Sequence, residues 1–125
     1  EYIKIMKKMS ELIKESASNV NVGLQSLNSE LVFITEAGNQ VGSLILIYNE
    51  KSASIFSVEV LKDYRKRGYG KRLVENAINR CTLKGCTSIE LNTEIDNGVA
   101  NNLYRGMGFQ LRGLKDGFNN YIKPL

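Results

Sequence analysis

The sequence predicts a mixed α/β domain in which a mostly antiparallel sheet is flanked by helices. Three observations carry this prediction: short β-branched runs joined by tight turns, one strand–helix–strand crossover, and segments whose apolar residues recur at helical spacing. The chain has 125 residues, of which 42% are hydrophobic and 24% are charged. These values suit a globular protein with one buried core, so we expect residues 1–125 to form a single domain.

The first part of the chain is predicted to be a helix followed by a loop. Apolar residues of segment 2–17 recur at helical spacing, opposite a face rich in lysine, which is typical of an amphipathic helix. They are Ile5, Met6, Met9, Leu12 and Ile13. Segment 16–29 is rich in Asn, Ser and Gly, and we interpret it as a loop.

Three strands are predicted next, at residues 31–35, 41–48 and 55–60. The connections are short and contain turn-forming residues such as Gly38 and Asn49. Strands that are joined by such short turns must run antiparallel. The sequence therefore predicts a three-stranded meander.

From Gly68 the period changes from strand to helix, and the helical pattern ends near Gly85, a residue suited to a left-handed helix end. A strand at 86–94 follows, and a strand–helix–strand crossover places its two strands parallel. Asp96 and Asn97 are positioned to cap a second helix over 98–107, which Gly108 ends. Strands at 109–114 and around Tyr121 complete the pattern.

The positive charge of the chain is concentrated in one place. The net charge is +4, and five of the 17 Lys and Arg residues fall within 65–72. This clustering favours a local phosphate site over the spread basic surface of a nucleic-acid binder. Nucleic acid is therefore the least favoured class of partner.

The absence of histidine excludes Ser-His and Cys-His catalytic arrangements, and it leaves too few soft ligands for a zinc site. We therefore expect no metal. Cys81 and Cys86 are the only cysteines, and two reduced, buried thiols are favoured over a disulfide between them. No apolar run is long enough to span a bilayer and no leader pattern is present, so we expect a cytoplasmic protein without a membrane partner. The sequence begins with Glu1 rather than Met, so a leader upstream would not be visible.

A basic glycine turn stands between the strand at 55–60 and the following helix. Gly68 and Gly70 lack a Cβ atom, so the backbone there can approach an anion closely, beside the positive end of the helix dipole. The turn is not a Walker loop, because Arg72 occupies the Ser/Thr position, nor a dinucleotide fingerprint, because Leu73 replaces the third glycine. A helix start that needs close packing is the structural alternative to a phosphate site.

The strand at 86–94 alternates in polarity. Ile89 and Leu91 share one face, and Glu90, Asn92 and Glu94 share the other. The polar face is explained equally well by a wet cleft and by a solvated edge.

Two motifs, taken together, resemble the paired signatures of the GNAT superfamily of acyl-CoA-dependent N-acyltransferases. The first is Arg65-x-x-Gly68-x-Gly70. The second is Asn97-x-x-Ala100-x-x-Leu103-Tyr104-x-x-x-Gly108-Phe109. The resemblance runs from about Phe33 to the end of the chain and places a strand before each motif.

The resemblance implies a GNAT-like fold in which the two parallel strands splay apart and acetyl-CoA, the co-substrate, lies with its pantetheine arm between them. Backbone groups of Val58, Glu59 and Val60 would pair with this arm, and Asn97 would hydrogen-bond it. Tyr104 matches the tyrosine that protonates or hydrogen-bonds the leaving thiolate. Pyrophosphate would be held in the motif that begins at Arg65, by the amides of Lys66, Arg67, Gly68, Tyr69, Gly70 and Lys71.

The general base is left open by the sequence. Some members of the superfamily carry Glu at the position of Asn92, and an Asn can only fix a water that relays the proton. Glu90, Glu94 and Glu59 are the alternatives.

The resemblance implies direct transfer of the acetyl group to a primary amine in a ternary complex, without a covalent enzyme intermediate. The acceptor, a small molecule or a protein amine, is not identified. A non-catalytic CoA-binding module with the same fold is the alternative function. The superfamily often forms homodimers and usually begins with a strand before its first helix. That strand either lies upstream of Glu1 or is missing from a shorter sheet.

Overall fold

The structure, a computed structural model, describes residues 18–25 and 28–125. The helix predicted at 2–17 lies outside these residues. In the described part, seven strands form one sheet with the order β1-β2-β3-β4-β5-β7-β6. The strands are β1 (Ser18–Gln25), β2 (Ser29–Glu36), β3 (Asn39–Asn49), β4 (Ser52–Val60), β5 (Ser88–Glu94), β6 (Gln110–Lys115) and β7 (Phe118–Pro124). The helices are α1 (Tyr69–Leu83) and α2 (Gly98–Gly106).

The strand pairing confirms the predicted fold class. β2, β3 and β4 form the antiparallel meander, and β4 and β5 form the parallel pair across the α1 crossover. The remaining pairs of the described sheet are antiparallel. Gly85 and Gly108 follow the two helices with φ values of 82° and 91°, the left-handed conformation expected at a helix end.

The predicted loop over 16–29 is wrong for residues 18–25. These residues form β1, which pairs antiparallel with β2 at the edge of the sheet. Val20 and Val22 alternate with asparagines and pack against the core from half-buried positions. Asn, Ser and Gly have low intrinsic strand propensity, but pairing with a buried strand overrides it.

One face of the sheet carries α1 and the main core. Leu73, Val74 and Ala77 of α1 are fully buried, and they belong to the same cluster as Val32 of β2 and Ile89 of β5. Fully burying one such aliphatic side chain stabilises the fold by about 1.5–3 kcal/mol. The packing holds the first turn of α1 in a fixed position beside the end of β4.

Cys81 and Cys86 are free thiols, and both are buried. This confirms the prediction of reduced thiols. Burial, reinforced by the neighbouring Cys86 thiol, raises the pKa of Cys81 to about 12. Cys81 is therefore a protonated packing residue and a poor nucleophile at neutral pH.

Among the helices that the structure describes, none is long and apolar enough to cross a membrane.

Candidate active site

The basic glycine turn leads from the end of β4 into α1. A short 3-10 turn, Lys62–Tyr64, is followed by two left-handed residues, Lys66 with φ 62° and Gly68 with φ 82°. The first intrahelical hydrogen bond of α1 runs from the Arg72 amide to the Gly68 carbonyl at 3.1 Å. The amides before Arg72 therefore lack intrahelical acceptors, as at any helix start.

This helix start is suited to an anion. The first turn of α1 contains no acidic residue. A Cβ atom added to Gly68 would contact nothing within 4 Å, and one added to Gly70 would meet only Val60, at 3.9 Å. The space over both glycines is thus open, so the packing alternative for Gly70 is not supported, whereas Gly68 needs its left-handed conformation. Lys66 and Lys71 are exposed beside this space.

The two arginines of the turn already have protein partners. Arg65 Nε donates to the Val60 carbonyl oxygen at 2.9 Å. Arg67 forms an ion pair with Glu36 at 3.3 Å, donates to the Asp63 carbonyl oxygen at 3.2 Å, and lies 5.0 Å from the centre of the Tyr64 ring. These contacts hold the turn against β2 and against its own first residues.

The parallel strands part directly before the glycine turn. β4 and β5 pair only from Ser52–Ser88 to Ile55–Leu91. Beyond this point β4 stays beside β3, and β5 stays beside β7. A bulge at Ser57, with φ 55°, shifts the register of β4 at the same place. A V-shaped gap therefore opens between residues 56–60 and 92–94.

A cleft of about 110 Å³ lies where the strands part. Ser54, Glu90 and Asn92 lie on one face of the paired strands and contribute polar lining, which supports the wet-cleft interpretation of the alternating strand over the solvated-edge one. The lining residues are Ser54, Ile55, Phe56, Ser57, Glu90, Leu91 and Asn92.

Strand geometry distinguishes the three residues that were predicted to pair with a ligand arm. The Leu61 amide donates to the Val41 carbonyl at 2.8 Å, which makes Gly42–Val60 a non-hydrogen-bonded pair of β3 and β4. The backbone groups of Val60, and by alternation those of Val58, therefore point away from β3 and toward the gap. Those of Glu59, which is paired with Ser43, point toward β3. Of these three residues, Val58 and Val60 turn their backbone groups toward the gap, and Glu59 does not.

Tyr104 is buried in α2, with 6% of its surface exposed. Its ring packs edge-on against Phe109 at 5.9 Å, and it belongs to the same core cluster as Ile55 and Leu91, which line the cleft. Burial raises the pKa of the Tyr104 hydroxyl above its ordinary value. The hydroxyl thus stays protonated at neutral pH and can act as a donor.

The polar side of β5 carries a hydrogen-bonded chain that the sequence did not reveal. Arg112 of β6 pairs with Glu90 at 2.9 Å and donates to Asn120 of β7 at 2.8 Å. Asn120 then donates to the Asn92 side-chain oxygen at 2.7 Å. Glu90 is half-buried at the cleft, whereas Glu59 and Glu94 are exposed and do not line it.

Asn97 caps α2, since its side-chain oxygen accepts from the Ala100 amide at 3.2 Å. The cap leaves its side-chain nitrogen as the group that could serve a ligand. No cluster of three or more His, Cys, Asp or Glu residues suited to a metal occurs within the described segments.

A sequence profile of the acetyltransferase (GNAT) family matches residues 8–109, which is most of the chain. The chain belongs to this family. Among curated proteins, N-alpha-acetyltransferase 30 of Saccharomyces cerevisiae is 50% identical over 46 residues, covering 37% of this chain and 26% of the relative. The [ribosomal protein bS18]-alanine N-acetyltransferase of Escherichia coli is 29% identical over 89 residues, covering 71% of this chain and 58% of the relative. The matches thus span about a quarter and somewhat more than half of the lengths of these relatives.

Solved GNAT structures share the fold. The ribosomal-protein-S18-alanine N-acetyltransferase of Escherichia coli superimposes with a TM-score of 0.74 at 23% identity, covering 80% of this chain and 71% of that one. The PaiA N-acetyltransferase of Thermoplasma acidophilum, solved with coenzyme A, gives a TM-score of 0.76 at 18% identity, covering 79% and 62%. At these identities the likeness establishes the fold and not the substrate.

One further residue was missed by the sequence analysis of this GNAT chain. Asn101 is buried, and its side-chain nitrogen donates to the carbonyl oxygens of Glu94 and Asn97 at 3.0 and 2.7 Å. Its side-chain oxygen accepts from Tyr121 at 2.7 Å. Asn101 fixes α2, and therefore Tyr104, against the ends of β5 and β7. One sequence signal could have pointed to Asn101: it is a polar residue on the apolar face of a helix whose cap, Asn97, is already assigned.

Proposed function

We propose that the chain is an N-acetyltransferase that transfers the acetyl group of acetyl-CoA directly to the α-amine at the N-terminus of a polypeptide. One observation carries the proposal: the gap between β4 and β5 opens directly beside the start of α1, whose first turn contains no acidic residue. An extended chain with a phosphate at one end fits both parts of this arrangement at once.

The glycine turn would hold the pyrophosphate. The backbone amides of residues 66–71 lie in the glycine turn and the first turn of α1, and the exposed Lys66 and Lys71 add positive charge there. The open space over Gly68 and Gly70 lets phosphate oxygens approach the backbone. The residues present therefore fit the group.

The arm of the co-substrate would lie in the gap and pair with the backbone of Val58 and Val60, as an added strand does. Arg65 already donates to the Val60 carbonyl oxygen, so the arm pairs there through the second lone pair of that oxygen or after the guanidinium has moved. The side-chain nitrogen of Asn97 would donate to the arm, since the side-chain oxygen of this residue caps α2.

Acetyl-CoA supplies the activated thioester, and the chain supplies the proton transfers. The neutral amine attacks the thioester carbonyl, and Tyr104 donates a proton to the leaving sulfur, a role supported by its protonated hydroxyl. On the other side, Glu90 is the one carboxylate among the residues that line the cleft. It is therefore placed to attract the acceptor ammonium and, through a water held by Asn92, to receive the proton.

The polypeptide acceptor is supported by the curated relatives described above, since one is named an N-alpha-acetyltransferase and the other an alanine N-acetyltransferase of a ribosomal protein. We expect acetyl-CoA consumption with peptides that have a free N-terminus. The peptides contain a lysine, and acetyl-CoA consumption should be absent when their N-terminus is already acetylated. The measurement is thiol release, with mass spectrometry locating the acetyl group. Acetylation of lysine in the blocked peptides, with none at free N-termini, would contradict this acceptor class.

Gly70→Val is expected to weaken coenzyme A binding about tenfold to a hundredfold, the cost of losing one or two hydrogen bonds to a charged group. The branched side chain would occupy the space through which phosphate approaches, while the fold itself leaves that space empty. Calorimetric titration with coenzyme A measures the effect. Gly113→Val is the matched control, since a Cβ there meets nothing within 4 Å and Gly113 lies on the exposed strand β6. Equal affinities for the two variants would contradict the placement of the pyrophosphate.

A further inference from the structure

The carboxylate of Glu36 lies beside the glycine turn, although it comes from the far end of β2. It pairs with Arg67 at 3.3 Å and accepts a hydrogen bond from the Tyr69 hydroxyl. The Glu36 side chain is 30% exposed and that of Arg67 is 50% exposed. Neither of the two motifs of the sequence contains Glu36, and the proposed chemistry does not use it.

The two partners of Glu36 flank Gly68, the left-handed residue at the start of α1. Arg67 precedes it and Tyr69 follows it, so one carboxylate holds both sides of the turn. Arg67 also contacts the Asp63 carbonyl and the Tyr64 ring. Together these contacts fix the path of residues 63–69.

A carboxylate beside a phosphate site is electrostatically unfavourable for the phosphate, because like charges repel. The repulsion has to be offset by a favourable contribution to binding, and the contacts of Glu36 with Arg67 and Tyr69 indicate what it is. A turn that is already ordered in the binding conformation does not lose that freedom when the ligand binds.

We propose that Glu36 is a positioning residue that pre-organises the glycine turn for the pyrophosphate of the co-substrate. The inference rests on the proposed function, since it takes the turn to be the pyrophosphate site. Glu36 acts through Arg67 and Tyr69 and does not touch the ligand.

The sign of one substitution separates this role from a simple charge effect. If Glu36 only adds negative charge near the site, Glu36→Gln tightens coenzyme A binding. If Glu36 positions the turn, the same variant weakens binding about threefold to tenfold, the range expected for releasing one or two side chains. Glu50→Gln is the control. Glu50 is exposed in the turn at the opposite end of β3, and its substitution changes the net charge by the same amount.

A second background tests whether the effect passes through the named partners. In the Arg67→Met/Tyr69→Phe variant, Glu36 has lost both contacts, so only its charge remains. There Glu36→Gln should tighten coenzyme A binding or leave it unchanged. Weakening of the same size as in the wild-type background would overturn the proposed route through Arg67 and Tyr69.

Limited trypsin digestion gives a readout that does not depend on the ligand. Residues 65–67 offer three consecutive cleavage sites in the turn, and a released turn is cut faster than an ordered one. We expect faster cleavage there in Glu36→Gln and wild-type cleavage in Glu50→Gln. The positioning role is overturned if Glu36→Gln leaves the cleavage rate unchanged, or if it leaves coenzyme A binding unchanged or tighter. Neither outcome affects the proposed function. A wild-type protein that does not bind coenzyme A overturns the proposed function as well.

Discussion

Tyr104→Phe is expected to lower kcat for acetyl transfer about 100-fold or more, the usual effect of removing a general acid. The dissociation constant for coenzyme A should stay within about twofold, because the hydroxyl acts on the leaving sulfur and not on the phosphate. The ring itself, buried against Phe109, is retained in phenylalanine. Thiol release under saturating acetyl-CoA and calorimetry with coenzyme A measure the two quantities.

The same variant separates the enzyme from a non-catalytic CoA-binding module. A module that keeps the fold would bind acetyl-CoA and consume none with any amine, before or after the substitution. Tyr48→Phe is the control, because it also removes one tyrosine hydroxyl, in this case the one that donates to Glu30. We expect it to lower stability and to leave kcat unchanged. Equal kcat for Tyr104→Phe and wild type would remove Tyr104 from the mechanism.

The pKa of Tyr104 also fixes the expected pH dependence. Burial raises this pKa, so the hydroxyl remains protonated up to and beyond pH 10, the ordinary tyrosine value. An alkaline fall in kcat below pH 10 must therefore come from another group. A fall that Tyr104→Phe abolishes in that range would contradict the assignment.

Much of the fold followed from the sequence because its local and long-range signals agree. The β-branched strands of the meander, the crossover and the glycine helix ends each specify their structure with nearby residues. β1 did not follow, since the strand is made by pairing with β2 and its own Asn and Ser residues favour turns. Pairing between distant segments is not visible in local propensity.

The candidate site divides in the same way. Its backbone features, the open glycine turn and the cap at Asn97, belong to contiguous motifs and were predicted. The side chains that support them come from elsewhere in the chain: Glu36 reaches the turn from β2, and Arg112 reaches Glu90 from β6. Neither contact has a spacing rule, because each depends on the register of strands far apart in sequence.

A buried ion pair between Glu30 and Arg80 gives the largest expected effect on stability. The Glu30 side chain is 1% exposed, and it accepts hydrogen bonds from Arg80 and from the Tyr48 hydroxyl. Lys84 adds a weaker contact at 3.8 Å. Arg80→Leu is expected to lower the free energy of unfolding by about 3–5 kcal/mol, because it leaves a buried carboxylate without its main partner. Urea unfolding followed by circular dichroism measures the loss.

Two further variants show whether the loss comes from the unpaired charge. Glu30→Leu/Arg80→Leu removes both charges and should recover most of the lost stability, since a buried pair can be replaced by packed apolar residues. Arg112→Leu removes the same type of side chain from a pair whose members are 48% and 35% exposed, so it should cost less than about 1 kcal/mol. The Glu30–Arg80 pair lies near the C-terminal end of α1, away from the glycine turn, so folded Arg80→Leu and the folded double variant should keep the coenzyme A affinity of the wild type. A double variant as unstable as Arg80→Leu alone would mean that Arg80 stabilises the fold by packing rather than by neutralising Glu30.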